Sequence, residues 1–200
     1  MILAKLETEM SNIAIQLDYL GVLPRLGLKG PEVSRWLRDQ SITVPVDVLS
    51  AAPIDSGAWI ARLGAAEFLI EGTADNDFVS HLWKKLSPLP MGVFPIVRCD
   101  ATFVLSGRDA HLALAQTCAI DFSTALSQRV IFSRVAGVSC GILPEVSGSA
   151  IKHRLWVELS YAAYLWNTLT SIVIDLGGLC NGPPVHALTT SQTGPVNSAS

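Results

Sequence analysis

Apolar positions recur along this chain in two rhythms, one of two residues and one of three to four. Leu26 and Leu28 flank Gly27 within residues 24–30, a short strand that closes on a glycine. Val33, Trp36 and Leu37 then stand at helical spacing, and Pro31 suits the first helical turn. Residues 41–57 carry Pro45 and Pro53 and read as an extended connection. Residues 59–63 and 67–71 read as strands around a tight turn at Gly64-Ala65-Ala66. Phe78, Val79, Leu82, Trp83 and Leu86 form a second helical stripe.

The same order returns from residue 101. Residues 101–107 form a strand that again closes on a glycine. Residues 108–119 are helical in pattern, with either Leu112, Ala115 and Cys118 or Leu114 and Cys118 facing inward. Residues 129–134 and 138–143 read as a hairpin around Ala136-Gly137, and 144–152 as a polar loop. Residues 155–176 close the pattern as a strand passing into a helix. Ser160 is the expected N-cap, with Tyr161, Tyr164, Leu165, Thr168, Leu169, Ile172 and Val173 on one face. Leu28-Lys29-Gly30 matches Leu105-Ser106-Gly107 at an offset of 77, and Leu82-Trp83 with Leu86 matches Leu165-Trp166 with Leu169 at 83.

The chain therefore reads as two tandem βαββα copies, the second longer by 83 − 77 = 6 residues in its loops. The expected fold class is α+β, with each copy a two-layer sandwich. Residues 1–90 make the first copy with an N-terminal arm, in which Ile13, Ile15 and Leu17 alternate. Residues 96–178 make the second, after a proline-rich joint at 88–95. Residues 181–200, rich in Pro, Gly, Ser and Thr, are expected to be a disordered tail.

Composition adds a second theme. Half of the 200 residues are apolar and only 16% are charged, against a usual quarter. Such a chain buries an unusual share of itself or keeps a face for partners. The net charge of −3 offers no basic footprint for nucleic acid. The most apolar uncharged stretch, 159–174, carries Ser160, Asn167, Thr168, Thr170 and Ser171, so no membrane partner is expected. The amino terminus lacks a basic-then-apolar leader pattern. Cys99, Cys118, Cys140 and Cys180 form no CxxC pair, so reduced thiols and a cytoplasmic location are expected.

Candidate chemistry is sparse. Gly27, Gly30 and Gly64 do not make GxGxxG, and neither GxxxxGK[ST] nor GxSxG occurs. Asp47, Asp55, Asp75 and Asp77 fall in loops as turn residues. Asp100 and Asp109 flank the second copy's first strand, and Asp109 suits a helix start. His81, His111, His153 and His186 are scattered, without metal-ligand spacing. The segment Cys118-Ala-Ile-Asp121-Phe122 is the most distinctive polar spot. A buried thiol and an Asp starting a turn account for it, since no basic neighbour activates Cys118. Trp36, Trp59, Trp83, Trp156 and Trp166 read as core or interface anchors. No residue of this chain is expected to be catalytic, to bind a cofactor or to hold a metal.

Two of these segments carry a family resemblance. Cys118-Ala-Ile-Asp121-Phe122 and Leu159-Ser160-Tyr161-Ala162-Ala163-Tyr164-Leu165-Trp166 resemble the gamma subunit of heterotetrameric sarcosine oxidase. There a Cys-x-x-Asp-Leu step follows the second copy's helix and an Arg-Ser-Phe-Ala-x-Tyr-Leu-Trp run opens the last one. Leu26-Gly-Leu-Lys-Gly-Pro31 is similar to the family's opening strand and helix, and the resemblance covers roughly residues 20–176. Leu159 stands where that family has arginine, and Tyr161 where it has phenylalanine. The resemblance implies a fold like the folate-binding part of the glycine-cleavage aminomethyltransferases. It implies an accessory subunit packing against alpha, in a complex with beta and delta, that oxidatively demethylates an N-methyl amino acid and passes the one-carbon unit to tetrahydrofolate. FAD, FMN, NAD, tetrahydrofolate and zinc would sit in those partners, none in this chain. The small subunit of N-methylglutamate dehydrogenase and a free-standing folate-dependent aminomethyltransferase-like protein are the alternatives.

Overall fold

A computed structural model describes residues 14–54, 57–123, 128–147 and 150–183. Ile13, Asp55, His186 and the expected tail beyond residue 183 therefore lie outside the described residues. The first half contains β1 (Gln16–Val22), β2 (Arg25–Lys29), α1 (Val33–Asp39), β3 (Ser50–Pro53), β4 (Trp59–Gly64), β5 (Glu67–Glu71) and α2 (Phe78–Lys84). The second contains β6 (Phe94–Ile96), β7 (Asp100–Ser106), α3 (Ala110–Ala115), β8 (Ile131–Val135), β9 (Val138–Ser147) and β10 (Ala150–Glu158). A single 3₁₀ turn over Leu159–Tyr161, α4 (Ala162–Asp175) and β11 (Leu179–Asn181) complete it. The fold is α+β with two sheets, as expected, and each copy has three strands between its helices where the βαββα pattern has two. β3 hides in the 41–57 connection, and the strand before the last helix is a full ladder member.

The two sheets repeat one another. The first runs β3-β4-β5-β2-β6 and the second β11-β1-β7-β10-β9-β8. β2 and β7 hold equivalent places, and each ends on a glycine at positive φ, Gly30 at 135° and Gly107 at 105°. Both glycines accept from the amide three residues on, Val33 and Ala110. The strand that precedes each copy pairs in the other copy's sheet: β1 lies antiparallel to β7 and β6 antiparallel to β2. The exchange is reciprocal down to single bonds. Glu32 N donates to Gly92 O ahead of β6, and Asp109 N donates to Ala14 O ahead of β1; 32 + 77 = 109, the repeat offset.

The period of two in each strand separates two faces. Leu26, Leu28, Ile60, Phe68 and Ile70 face Val33, Trp36 and Leu37 of α1 and Val79 and Leu82 of α2. Phe103, Leu105, Ile142 and Leu155 face Ala113 and Leu114 of α3 and Leu165, Trp166, Leu169 and Val173 of α4. The opposite faces meet each other through Ala51, Trp59, Ala61 and Leu69 on one side and Val130, Leu143 and Trp156 on the other. The helices are thus the outer layers and the sheets the inner ones. Along one side the sheets are clasped edge to edge, by Ala51 N to Gln128 O and Val130 N to Leu49 O.

Several local expectations are corrected. The 144–152 segment is not a polar loop: β9 runs to Ser147 and β10 starts at Ala150. Pro144 fits because β8 pairs β9 only as far as Ile142, leaving an outer edge where a missing N–H costs nothing. The helix expected over 108–119 shrinks to Ala110–Ala115, because the turn at Gly107 delays its start. Thr117 then turns its hydroxyl back onto Ala113 O, the local competition that ends helices. Leu112 is exposed, so Leu114 and Cys118 face inward. Ser160 is not an N-cap: it sits in the 3₁₀ turn, where the Glu158 carboxylate accepts its N–H. The buried stripe of α4 is Ala162, Leu165, Trp166, Leu169 and Val173, while Tyr161 and Tyr164 are half-exposed. The joint at 88–95 supplies β6, and Asn181, expected in the tail, closes β11 and donates to Asp18 Oδ1.

Candidate functional site

The most concentrated polar chemistry lies between the sheets, at residues the sequence reading passed over. Arg25 and Glu71 are register partners on β2 and β5, and Trp59 is the partner of Glu71 on β4. They form one row across the first sheet, on the face turned to the second. Thr102, Trp156, Gly141 and Phe132 form the opposing row across β7, β10, β9 and β8. Trp59 and Trp156 meet at 5.4 Å between ring centroids, tilted by 37°.

Glu71, with no exposed surface, is the hub. Its Oε2 accepts from Arg25 Nε at 2.7 Å, from Arg25 Nη2, and from the Thr102 hydroxyl at 3.0 Å. Its Oε1 accepts from Trp59 Nε1 at 3.1 Å and Arg154 Nη1 at 2.9 Å. Arg25 also donates to Thr102 Oγ1 and to the backbone oxygen of Asp100, whose carboxylate lies 3.4 Å from Nη1. Arg154 Nε donates to Glu145 Oε1 at 2.6 Å. A carboxylate with both oxygens engaged by two guanidiniums, an indole and a hydroxyl has no capacity left for base chemistry. It locks one sheet to the other. Buried ion pairs are costly to create but more costly to half-remove.

Reachable chemistry begins at the rim. A cleft of about 270 Å³ has Ala51, Ala52 and Trp59 on one wall and Gln128, Glu145 and Arg154 on the other. A second cleft of about 250 Å³ lies across Trp59 and Arg154, against Leu20, Leu23 and Thr73. Both copies therefore line each cleft, and Arg154 stands between the two. Gln128 and Leu49, on the clasp beside the first cleft, hold φ near 60° without being glycine. Such backbone strain persists only where surrounding contacts over-determine it.

The residues singled out from sequence sit elsewhere. Cys118 is buried and its thiol faces Ser133 Oγ at 3.4 Å. Burial pushes the neighbouring Cys140 thiol up to about 12, so that sulfur is held as an unreactive thiol. Asp121 accepts from Ser123, and those hydrogen bonds hold its carboxyl below the usual range. Asp109 is half-buried and held low by its hydrogen bond from Arg108, outside the clefts. His153 is buried against Phe122 at 5.3 Å, and burial, then the nearby His111, lowers it to about 4. Asp100, expected beside the strand, is its first residue and a buried member of the Arg25 network. Among the described residues no group of three or more His, Cys, Asp or Glu is placed to hold a metal. No described helix is long and apolar enough to cross a membrane. Arg25, Glu71 and Arg154 did leave a trace in the sequence: charges in strand runs, opposite in phase to Leu26, Ile70 and Leu155. That face looks solvated until the second sheet covers it.

Comparison with known proteins defines the class through the fold. No protein-family model matches the chain, and no curated protein does. Solved structures do match. Glycine cleavage system aminomethyltransferase T from Bartonella henselae superposes with a TM-score of 0.63 at 15% identity, over 82% of this chain and 47% of that one. The chain thus spans about half the length of that protein. A chain of the heterotetrameric sarcosine oxidase from Corynebacterium sp. U-96 superposes with a TM-score of 0.66 at 18% identity, over 88% of this chain and 94% of that one. The chain has the folate-binding aminomethyltransferase type of fold.

Proposed function

We propose that this protein is an accessory subunit, of the gamma type, in a heterotetrameric sarcosine oxidase-like complex. The observation that carries the reading is span. The chain matches 94% of a chain from a sarcosine oxidase that is itself a heterotetramer, but only 47% of the aminomethyltransferase. The saturated Glu71 hub agrees with it, since a keystone of this kind fixes a shape rather than running a reaction. On this reading alpha, beta and delta partners hold FAD, FMN, NAD, zinc and tetrahydrofolate, and alpha is the direct contact. The complex demethylates a secondary N-methyl amino acid oxidatively and hands the carbon to tetrahydrofolate. The test is co-expression with the alpha-, beta- and delta-type chains of such a complex. A stable four-chain particle with bound flavin supports the reading, and a monodisperse lone chain that ignores those partners overturns it.

A second reading is favoured by one observation, the convergence of Trp59, Gln128, Glu145 and Arg154 on one cleft. An aromatic wall with an amide and paired charges suits a flat heteroaromatic ligand such as a pterin. The cleft's 270 Å³ is below the roughly 300–1,000 Å³ of most small-molecule sites, so we rank this reading second. Calorimetric titration of the purified chain with tetrahydrofolate separates the two: saturable binding lost in Arg154→Gln supports it, and none removes it.

A further inference from the structure

Two adjoining cavities open toward the other ends of β9 and β10, away from the cleft just described. One, of about 410 Å³, is walled by Arg98, Phe132, Arg134, Gly141 and Trp156. The next, of about 460 Å³, shares Arg98, Asp100 and Glu158 with it and is rimmed by Val97 and Leu159. Their hydrogen-bonding capacity is one-sided. Each acidic group already faces donors of its own chain. Asp100 Oδ2 lies 3.1 Å from Arg98 Nε and 3.4 Å from Arg25 Nη1. Glu158 accepts from the Ser160 amide and hydroxyl.

The donors are largely unspent. Among the described residues Arg134 has no acidic partner, and Arg98 engages only its Nε. Trp156 is 2% exposed and its indole Nε1–H has no hydrogen-bond partner among them. A buried donor without an acceptor is costly. The indole lies over Gly141, where any Cβ would overlap it, so the missing side chain at 141 is what admits the ring. The rim is apolar: Val97 is 74% exposed, Phe132 53% and Leu159 40%, and the Phe132 ring meets Trp156 edge-on at 6.2 Å.

We propose that these adjoining cavities bind a carboxylate carried on an apolar body. The carboxylate takes the Arg98 and Arg134 guanidiniums, whose forked donors match its two oxygens. The apolar body covers Phe132 and Leu159, and a slight shift of the indole over Gly141 offers its N–H to an acceptor. The inference does not depend on the subunit reading. The carboxylate can belong to a free organic acid or to an acidic side chain of a polypeptide.

The experiment is an NMR titration of the full chain with phenylacetate, its neutral isostere phenylacetamide, and the peptide acetyl-Phe-Asp-amide. Phenylacetate is expected to shift the Trp156 indole N–H saturably and to bind about tenfold more tightly than the amide. Arg134→Gln, on an exposed side chain that the fold does not need, is expected to weaken it about tenfold, and Arg134→Lys to recover part of that. Arg108→Gln, an exposed arginine outside both cavities, is expected to change nothing. Tighter binding of the peptide assigns the carboxylate to a polypeptide, and tighter binding of phenylacetate to a free acid. Equal binding of acid and amide, indifference to Arg134→Gln, or shifts confined to other indoles would overturn the proposal.

Discussion

At the scale of single residues the structure separates groups that hold the fold from groups that respond to solution. Glu71 belongs to the first kind. Replacing it with Gln leaves Arg25 and Arg154 facing a neutral amide between two sheets, and truncating one partner of a buried pair costs about 3–5 kcal/mol. Urea unfolding of Glu71→Gln is expected to show a loss of that order, with the wild-type slope retained. His153 belongs to the second kind. Burial, and then His111, lowers it to about 4 from an ordinary 6.5, so the folded chain keeps it neutral where the unfolded chain protonates it. Between pH 6.5 and about 4 the unfolded state therefore binds more protons, and stability falls as pH falls. The loss amounts to roughly 3 kcal/mol once pH is below the folded value. Above pH 6.5 the group contributes no slope. Unfolding midpoints at a series of pH values, in wild type and His153→Leu, check this, since only the wild type is expected to carry that component. Cys118, Asp121 and Asp109 drew attention in the sequence because rare polar residues stand out there. Arg25, Glu71 and Arg154 did not, because their partners come from strands 46 to 83 residues away.

At the scale of elements, legibility followed periodicity. The hairpin of β8 and β9 was readable from Ala136-Gly137, and both residues take positive φ, 51° and 82°, as a two-residue type I′ turn requires. Alanine is a poor occupant of that conformation and asparagine a good one. Ala136→Asn is therefore expected to stabilise by about 0.5–1 kcal/mol. The backbone bonds at 136, from its N–H to Thr117 O and from the Tyr164 hydroxyl to its carbonyl, are left in place. Differential scanning calorimetry reads the gain as a raised Tm. β3 and the continuation of β9 past Pro144 were not readable. The first is four residues ending in proline, and the second owes its tolerance of proline to the early end of its neighbour β8. Gly141 shows the same limit. In sequence it is one more strand glycine; in the sheet it is the seat of Trp156, and Gly141→Ala is expected to cost about 1–3 kcal/mol by overpacking, measured in urea. Tyr161 and Tyr164 misled in the opposite direction, since aromatic spacing in α4 suggested a buried face that Trp166 and Ala162 occupy instead.

At the scale of the whole molecule, the repeat and the exchange of leading strands decide how the chain can be divided. The repeat was legible from two short matches and an element order, because each copy obeys local rules. The exchange was not, because nothing in residues 16–22 or 94–96 states which sheet they join. Its consequence is physical. Without β1, β7 loses its neighbour on one side and Leu17 leaves the core around Phe103. Without β6, Gly27 and Leu28 border an open edge, and exposed edges are sites of aberrant pairing. The Glu71 hub adds a third cross-link, since it holds Thr102 and Arg154 of one copy to Arg25 and Trp59 of the other. Cutting the chain between residues 90 and 91 thus leaves two pieces that each carry the other's strand. Expressed alone, residues 1–90 and 91–200 are each expected to give collapsed amide spectra. Expressed together, they are expected to restore the dispersed spectrum of the intact chain, with Glu71→Gln weakening the reassembly about a hundredfold or more if the hub carries the 3–5 kcal/mol assigned to such pairs. A well-dispersed spectrum from either piece alone would show that the copies are independent units and that the exchanged strands are ornament.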